Sequence, residues 1–360
     1  MGIRVISNQF DVENNAVHFD EERNAIVQTI PAVAVAMASV DFYSGDIGAT
    51  IFTYTTSGNL EFSGRIIIGV NVPHSCWAVV LAKPYLFMGR YNSNGSIHKW
   101  DIYRGTYGSF YTSHMGSPVY PDDCYALELD SQGNLYAVVT WYFPIGNHPV
   151  YLIKITPEGV LDWSYELYPY TVWANLAHHF GLTLDGNDNI YATGYNRVVK
   201  LSPSGEELWS TAVVCCDVAY DHIYDGVYVA VTGGIRWLRA SDGLVDEWTY
   251  DEVPGPVYGV AVDPDGDVVA VGARTDSKSV WKVDASSGLV LWSYDTGNAV
   301  VSVDIGSDYN IYVAGVLSND NRFWALSPSG GLRRASKLSS TSNSDWYGSR
   351  VSCMKNYGVL

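Results

Sequence analysis

Apolar and polar residues alternate along most of this chain in short runs separated by polar turns. The segments 125–138 (YALELDSQGNLYAV), 180–192 (FGLTLDGNDNIYA), 258–270 (YGVAVDPDGDVVA) and 301–313 (VSVDIGSDYNIYV) each read as strand, tight turn, strand. Period-two alternation marks a half-buried strand. Asp, Asn and Gly suit the positive-φ positions of a short hairpin. A second type of unit recurs after segments of this kind: 151–165 (YLIKITPEGVLDWSY), 197–211 (RVVKLSPSGEELWST), 235–250 (IRWLRASDGLVDEWTY) and 279–294 (SVWKVDASSGLVLWSY). Each is a strand, a turn ending in Gly, and a strand carrying Trp. Weaker copies lie at 49–64, 96–113 and 322–336.

The turn glycines are Gly58, Gly105, Gly159, Gly205, Gly243, Gly288 and Gly330, spaced 38 to 54 residues apart. A repeat of roughly 40–50 residues built from strands predicts a β-propeller. The two unit types together give four antiparallel strands per repeat. The expected fold is therefore all-β: a single propeller of seven four-stranded blades, with eight as the alternative. The copy at 49–64 lacks an obvious partner unit before it, and 349–360 (SRVSCMKNYGVL) resembles such a unit. This predicts a split blade, in which C-terminal strands join the blade containing Ile51–Phe62. Residues 49–360 then form the propeller, closed by its C-terminal strands, and residues 1–48 form an N-terminal extension or part of the first blade.

Composition narrows the function classes. Apolar residues make up 47% and charged residues 16%, so material for a core is ample, and the 27 Tyr and 12 Trp suit stacked sheets with aromatic wedges. A net charge of −17 would repel a nucleic-acid duplex and an anionic membrane surface. The most apolar stretch, Ala25–Tyr43, contains Pro31 and is rich in Val and Ala, which predicts buried strands and not a membrane span. Five cysteines without regular spacing do not form a disulfide framework. The opening MGIRVISNQFDVENN has no basic region followed by an apolar run, so no secretory signal is expected and the location is cytoplasmic or within an assembly such as a virion.

The segment WKVDASSGLVLWSYDTG (Trp281–Gly297) resembles the repeat of quinoprotein-type (PQQ-like) propellers, in which an aromatic, an Asp, a turn Gly and a Trp recur at these offsets. VVKLSPSGEELWST and LIKITPEGVLDWSY fit the same pattern, and the resemblance runs from about Ala49 to Leu338. It implies that Trp163, Trp209, Trp248 and Trp292 are structural wedges between neighbouring blades. Quinone-dependent dehydrogenases of this group are secreted, longer and usually eight-bladed. Some carry an adjacent Cys–Cys pair at the cofactor, and Cys215–Cys216 is similar to it. No set of cation-binding carboxylates accompanies the pair here, so the resemblance implies the repeat architecture and not the dehydrogenase activity.

Aligning the repeats exposes one further position. Cys76, Cys124, His179 and Cys215 each stand immediately before the first strand of consecutive blades, flanked by His74, Asp123, His178 and Cys216. First strands line the axial channel of a propeller, so these positions predict a ring at one channel mouth. Thiolate and imidazole ligands suit zinc. Against a shared ion stand the distance between equivalent positions on neighbouring blades and the Val257, Val300 and Gly348 of the remaining blades. The expectation is no cofactor, with zinc at the mouth as the alternative. The turns Asp263-Pro-Asp265-Gly-Asp267 and Asp185-Gly-Asn187-Asp188-Asn189 have calcium-like spacing but lack the downstream bidentate Glu of a calcium loop, and their residues serve hairpins equally well.

There is no GxSxG element, no phosphate-binding Walker loop and no HExxH. The sequence therefore points to a non-enzymatic structural or binding propeller whose partners are other proteins of an assembly. Its concrete form would be a capsid-surface, tail or fibre component of a bacterial virus. The alternatives are a lyase or hydrolase, metal-dependent or not, working at the channel mouth, and a carbohydrate or peptide receptor using Trp141, Tyr142 and Phe143.

Overall fold

A computed structural model describes the strands named below and, as continuous stretches, residues 123–140, 149–169, 180–194, 196–250, 253–306, 309–317 and 320–340. The chain is an all-β propeller. Its blades are antiparallel four-stranded sheets in which consecutive strands pair in sequence order.

Blade 1 comprises Cys76–Ala82, Tyr85–Arg90, Ile97–Asp101 and Thr106–Tyr111; blade 2, Asp123–Leu129, Leu135–Thr140, Val150–Ile155 and Leu161–Tyr168. Blade 3 comprises Leu182–Leu184, Ile190–Gly194, Arg197–Leu201 and Glu207–Ala212; blade 4, Cys215–Asp221, Gly226–Val231, Gly234–Arg239 and Val245–Tyr250. Blade 5 comprises Val257–Val262, Val268–Thr275, Lys278–Val283 and Val290–Tyr294; blade 6, Val300–Ile305, Ile311–Leu317, Asp320–Leu326 and Leu332–Ser340.

The expectation of seven four-stranded blades, or eight, is corrected to six. A count of turn glycines includes the 49–64 repeat, but its strands do not build a four-stranded sheet. Ile47–Tyr54 and Leu60–Gly69 belong instead to a five-stranded sheet drawn from both ends of the chain, ordered Arg4–Ile6, Leu60–Gly69, Ile47–Tyr54, Ala32–Met37, Arg350–Cys353. Arg350–Cys353 pairs antiparallel with Ala32–Met37, Val351 opposite Val35. It also neighbours the inner strands of blade 1 and blade 6. His18–Asp20 and Ala25–Val27 pair separately as a hairpin. Among the described residues no helix is long and apolar enough to cross a membrane.

The cores lie between blades. Apolar side chains facing one another fill the boundaries between blades 1 and 2, 2 and 3, 3 and 4, 4 and 5, and 5 and 6. Tyr136, Tyr191, Tyr228 and Tyr312 occupy one position of the second strand in four blades and are fully buried. Period-two alternation places these rings on one face of each sheet.

A polar brace crosses the same boundaries. Trp163, in the outer strand of blade 2, donates its indole N–H to the Pro203 carbonyl of blade 3 at 3.2 Å. Trp209 of blade 3 donates to Ala240 O of blade 4 at 2.9 Å, and Trp292 of blade 5 to Pro328 O of blade 6 at 2.9 Å. Each acceptor lies in the turn between third and outer strands. A lysine from the donor blade's third strand shares two of these acceptors: Lys154 Nζ reaches Pro203 O at 3.2 Å, and Lys200 Nζ reaches Ala240 O at 3.0 Å. The turn glycines explain themselves here. Gly205, Gly243 and Gly330 have φ of 87°, 68° and 82°, and a β-carbon at each would press into the Trp163, Trp209 or Trp292 ring of the preceding blade.

Candidate functional site

The inner strands enclose an axial cavity of about 250 Å³ to which all six blades contribute. Its lining carries the carboxylates Glu128, Asp217 and Asp304, from blades 2, 4 and 6, and the hydroxyls of Thr183, Tyr220 and Ser302. No Lys, Arg or His is among the described residues that line it.

These carboxylates are engaged by backbone. Glu128 Oε1 accepts from Leu129 N at 3.1 Å, and Asp304 Oδ1 from Ile305 N at 2.8 Å. Asp217 Oδ1 accepts from Val218 N at 3.0 Å, while its Oδ2 reaches across to Val260 N of blade 5 at 3.2 Å. A β-carbon on Gly181 of blade 3 would collide with Asp217, so glycine there lets the blades approach. Asp217 thus ties blades 4 and 5 together at the channel wall and packs against blade 3.

Among the described residues, five blades carry a β-bulge near the start of the inner strand, between Cys76/Ala78, Cys124/Ala126, Cys215/Asp217, Val257/Gly259 and Val300/Ser302. The extra residue of a bulge re-aims the side chains beside it. Cys76, Cys124 and Cys215 thus share one structural position, the residue that precedes the bulge. Cys124 is buried against Gly89 of blade 1. Cys215 Sγ lies 3.7 Å from both Gly194 O and Arg197 O of blade 3. Both thiols fill the joint with the preceding blade. Burial, with smaller contributions from Cys216 and Asp217, pushes the Cys215 thiol far above its ordinary range. Cys216 is half-buried and packs against the cluster between blades 4 and 5.

Cys76 and Asp123 begin their strands, but their side chains lie outside the described set, as do His74, His178 and His179. Trp141, Tyr142 and Phe143 also lie outside the described residues, and Trp248 is described only as part of its strand. Trp209 is buried, and Trp163 and Trp292 are half-buried, each at a blade boundary. Among the described residues no three His, Cys, Asp or Glu side chains converge where they could hold a metal.

The turns with calcium-like spacing are occupied from within. Asp263 Oδ1 accepts from Asp265 N and Asp267 N, both at 2.9 Å. The Lys282 ammonium lies 2.6 Å from Asp263 and 3.1 Å from Asp267. Burial works against that ammonium, but its hydrogen bonds to the two aspartates outweigh burial and hold its pKa above the usual lysine value. In blade 3, Asp185 accepts from Asn187 N, Asn189 N, Asn189 Nδ2 and Tyr191 OH, with Lys200 Nζ 3.6 Å away. Burial opposes its ionisation, and these donors outweigh it, holding the carboxyl below the ordinary value.

Reasoning from sequence missed these buried Asp–Lys pairs. The signal was present, since Lys99, Lys154, Lys200 and Lys282 recur mid-strand among apolar neighbours. It also missed Glu128 and Asp304, whose inward direction depends on where each inner strand bulges.

No family model matches the chain, and no curated protein matches it. Among solved structures it is similar to a protein from Lactobacillus plantarum, with 13% identity and a TM-score of 0.60 over 90% of this chain and 100% of that one. A protein of unknown function from Bacteroides caccae aligns over 90% of this chain and 99% of its own, with 9% identity and a TM-score of 0.48. At such identities the likeness to the first concerns the fold alone.

Proposed function

We propose that this chain is a non-enzymatic binding or structural propeller, built into a larger assembly through its turns, in the concrete form of a virion component of a bacterial virus. The observation that carries the non-catalytic part is the use made of the channel carboxylates. Glu128, Asp217 and Asp304 each accept a backbone amide, and Asp217 spans the joint between blades 4 and 5. Groups spent this way set the inner strands in place. The Trp–carbonyl braces support the quinoprotein-like reading of the repeat, as an architectural device without its cofactor.

The experiment is quantitative mass spectrometry of purified virus particles, paired with hydrolase and lyase screens on the isolated chain and its Asp217→Asn variant. A fixed ratio of this chain to the other particle proteins, with no turnover in either form, supports the proposal. Absence from particles together with turnover that Asp217→Asn abolishes would overturn it.

A further inference from the structure

Among blades 2 to 5, which share an aspartate at the first turn, one departs from its siblings at a cost, and the departure presents apolar side chains to solvent. In blades 2, 3, 4 and 5 the turn after the inner strand begins at Asp130, Asp185, Asp221 and Asp263. Three of these turns reach Asn134, Asn189 or Asp267 four residues on, and that residue's backbone N–H meets the aspartate at 2.8, 3.0 and 2.9 Å. The second carboxylate oxygen is filled too. Asp130 Oδ2 receives Asn134 Nδ2 and Tyr136 OH, Asp185 Oδ2 receives Asn189 Nδ2 and Tyr191 OH, and Asp263 Oδ2 receives Lys282.

Blade 4 breaks each of these rules. Its turn, from Asp221 to Gly226, is one residue longer. Gly226 stands where the siblings have Asn or Asp, and Trp237 stands opposite Tyr228 where Lys200 stands opposite Tyr191. A β-carbon on Gly226 would fall inside the Trp237 ring. Asp221 is fully buried, and its Oδ2 has no partner, nor has the buried Trp237 Nε1. An unmade buried hydrogen bond is destabilising, and a local rule broken without structural gain marks a functional element.

The gain is at the tip. The Asp221 Oδ1 atom accepts from Ile223 N at 2.8 Å and Tyr224 N at 3.1 Å, setting both residues outward. Ile223 and Tyr224 are each 51% exposed, where the sibling turns carry Ser131-Gln132, Gly186-Asn187 and Pro264-Asp265. In an antiparallel meander the first and third turns of a blade emerge on one face, so Leu244 and Val245, 56% and 40% exposed, share this end of blade 4. The tip is held in shape. Ile223 packs over Gly266 of blade 5, and Tyr220 OH donates to Asp225 Oδ1 at 3.0 Å. Exposed acids stand on these turns of blade 4 and on the adjoining turn of blade 5: Asp225, Asp242 and Asp265. Arg239 of blade 4's own turn is already paired with Asp242 at 3.4 Å.

Resting on the binding role proposed above, we infer that the Ile223–Tyr224 tip and the Leu244–Val245 turn form a docking surface for a protein segment with an apolar or aromatic anchor flanked by Lys and Arg. Preorganised apolar side chains lower the ordering cost of association. The acidic rim selects a basic partner and disfavours a second copy of a chain that carries −17.

The test measures fluorescence anisotropy of the intact protein with three short labelled peptides: Lys alternating with Leu and Phe, the same with Glu for Lys, and the same with Ser for the apolar residues. The Lys–Leu/Phe peptide should bind most tightly. Ile223→Ser/Tyr224→Ser should weaken it by about tenfold or more with an unchanged melting temperature, while Leu208→Ser, a similar change at an exposed site in blade 3, should not. Equal binding of the Glu peptide, an equal loss in Leu208→Ser, no loss in the double variant, or no binding at all would overturn the inference. So would a dimer in sedimentation that the double variant abolishes, which would make the occupant a second copy. Any of these results with the chain still present in particles would refute this surface and leave the proposed function standing.

Discussion

The indole N–H of Trp209 in blade 3 donates to the carbonyl oxygen of Ala240 in blade 4 at 2.9 Å. The Lys200 ammonium meets the same oxygen at 3.0 Å. The ring also packs tilted against Tyr191 with centroids 5.8 Å apart, and it lies over Gly243. One side chain therefore joins two sheets by burial, by a hydrogen bond and by a fit that only glycine permits.

Trp209→Ala should destabilise the fold by about 3–5 kcal/mol, the usual cost of emptying a large aromatic site. Trp209→Phe keeps a ring but loses the donor and should cost less. Gly243→Ala should cost about 1–3 kcal/mol through its left-handed φ alone, and more through the collision with Trp209. Urea denaturation of the three variants checks the order. An unchanged midpoint for Trp209→Ala would remove the brace from the account.

The thiols should differ in reactivity. Cys215 is buried and its pKa is raised, and Cys124 is buried against Gly89, so neither presents a thiolate to reagent. Of these three, half-buried Cys216 should be alkylated first in the native protein at mildly alkaline pH, as peptide mapping would show. Cys124 and Cys215 should react only after denaturant is added. Rapid native labelling of Cys215 would show that its joint opens.

Acid should weaken blade 3 through Asp185. Its folded pKa lies below the ordinary aspartate value of 3.8, held there by Asn189, the turn amides and Lys200. The stabilisation is therefore present above the unfolded value and is lost as pH falls through the folded one. Melting temperature should drop as pH falls below about 4, and Asp185→Asn should show a lower starting value with a smaller drop. Parallel curves for the two proteins would contradict this assignment.

Truncation before Arg350 removes the strand paired with Ala32–Met37 and bares that strand's edge between blades 6 and 1. An uncovered edge invites pairing between molecules. The truncated chain should melt lower and aggregate on warming, as light scattering would show. A soluble product with an unchanged melt would mean that the terminal strand contributes nothing to the ring.

The propeller was legible because its signals are local. Alternation in 258–270, the turn at Gly205 and the Trp after each turn can all be read within one repeat. Blade number was not legible. Whether 49–64 forms a four-stranded blade depends on Ala32–Met37, Arg350–Cys353 and Arg4–Ile6 arriving from far along the chain. Cys124 and Cys215 both stand before a bulge, and the direction of a thiol there follows from the backbone kink, which composition does not encode. The anomaly in blade 4 was written in the sequence as Gly226 and Trp237. It becomes visible only once Asp185, Asn189 and Lys200 are seen to meet.

The central claim is that the axial carboxylates build the ring and that contacts are made by the turns. A cryo-electron microscopy reconstruction of particles containing this chain tests it most directly. The account predicts a partner seated on the Ile223–Tyr224 and Leu244–Val245 turns, with Asp217 still bound to Val260 N. A small molecule or metal held by Glu128, Asp217 and Asp304 in the channel, with those turns facing bulk solvent, would contradict it.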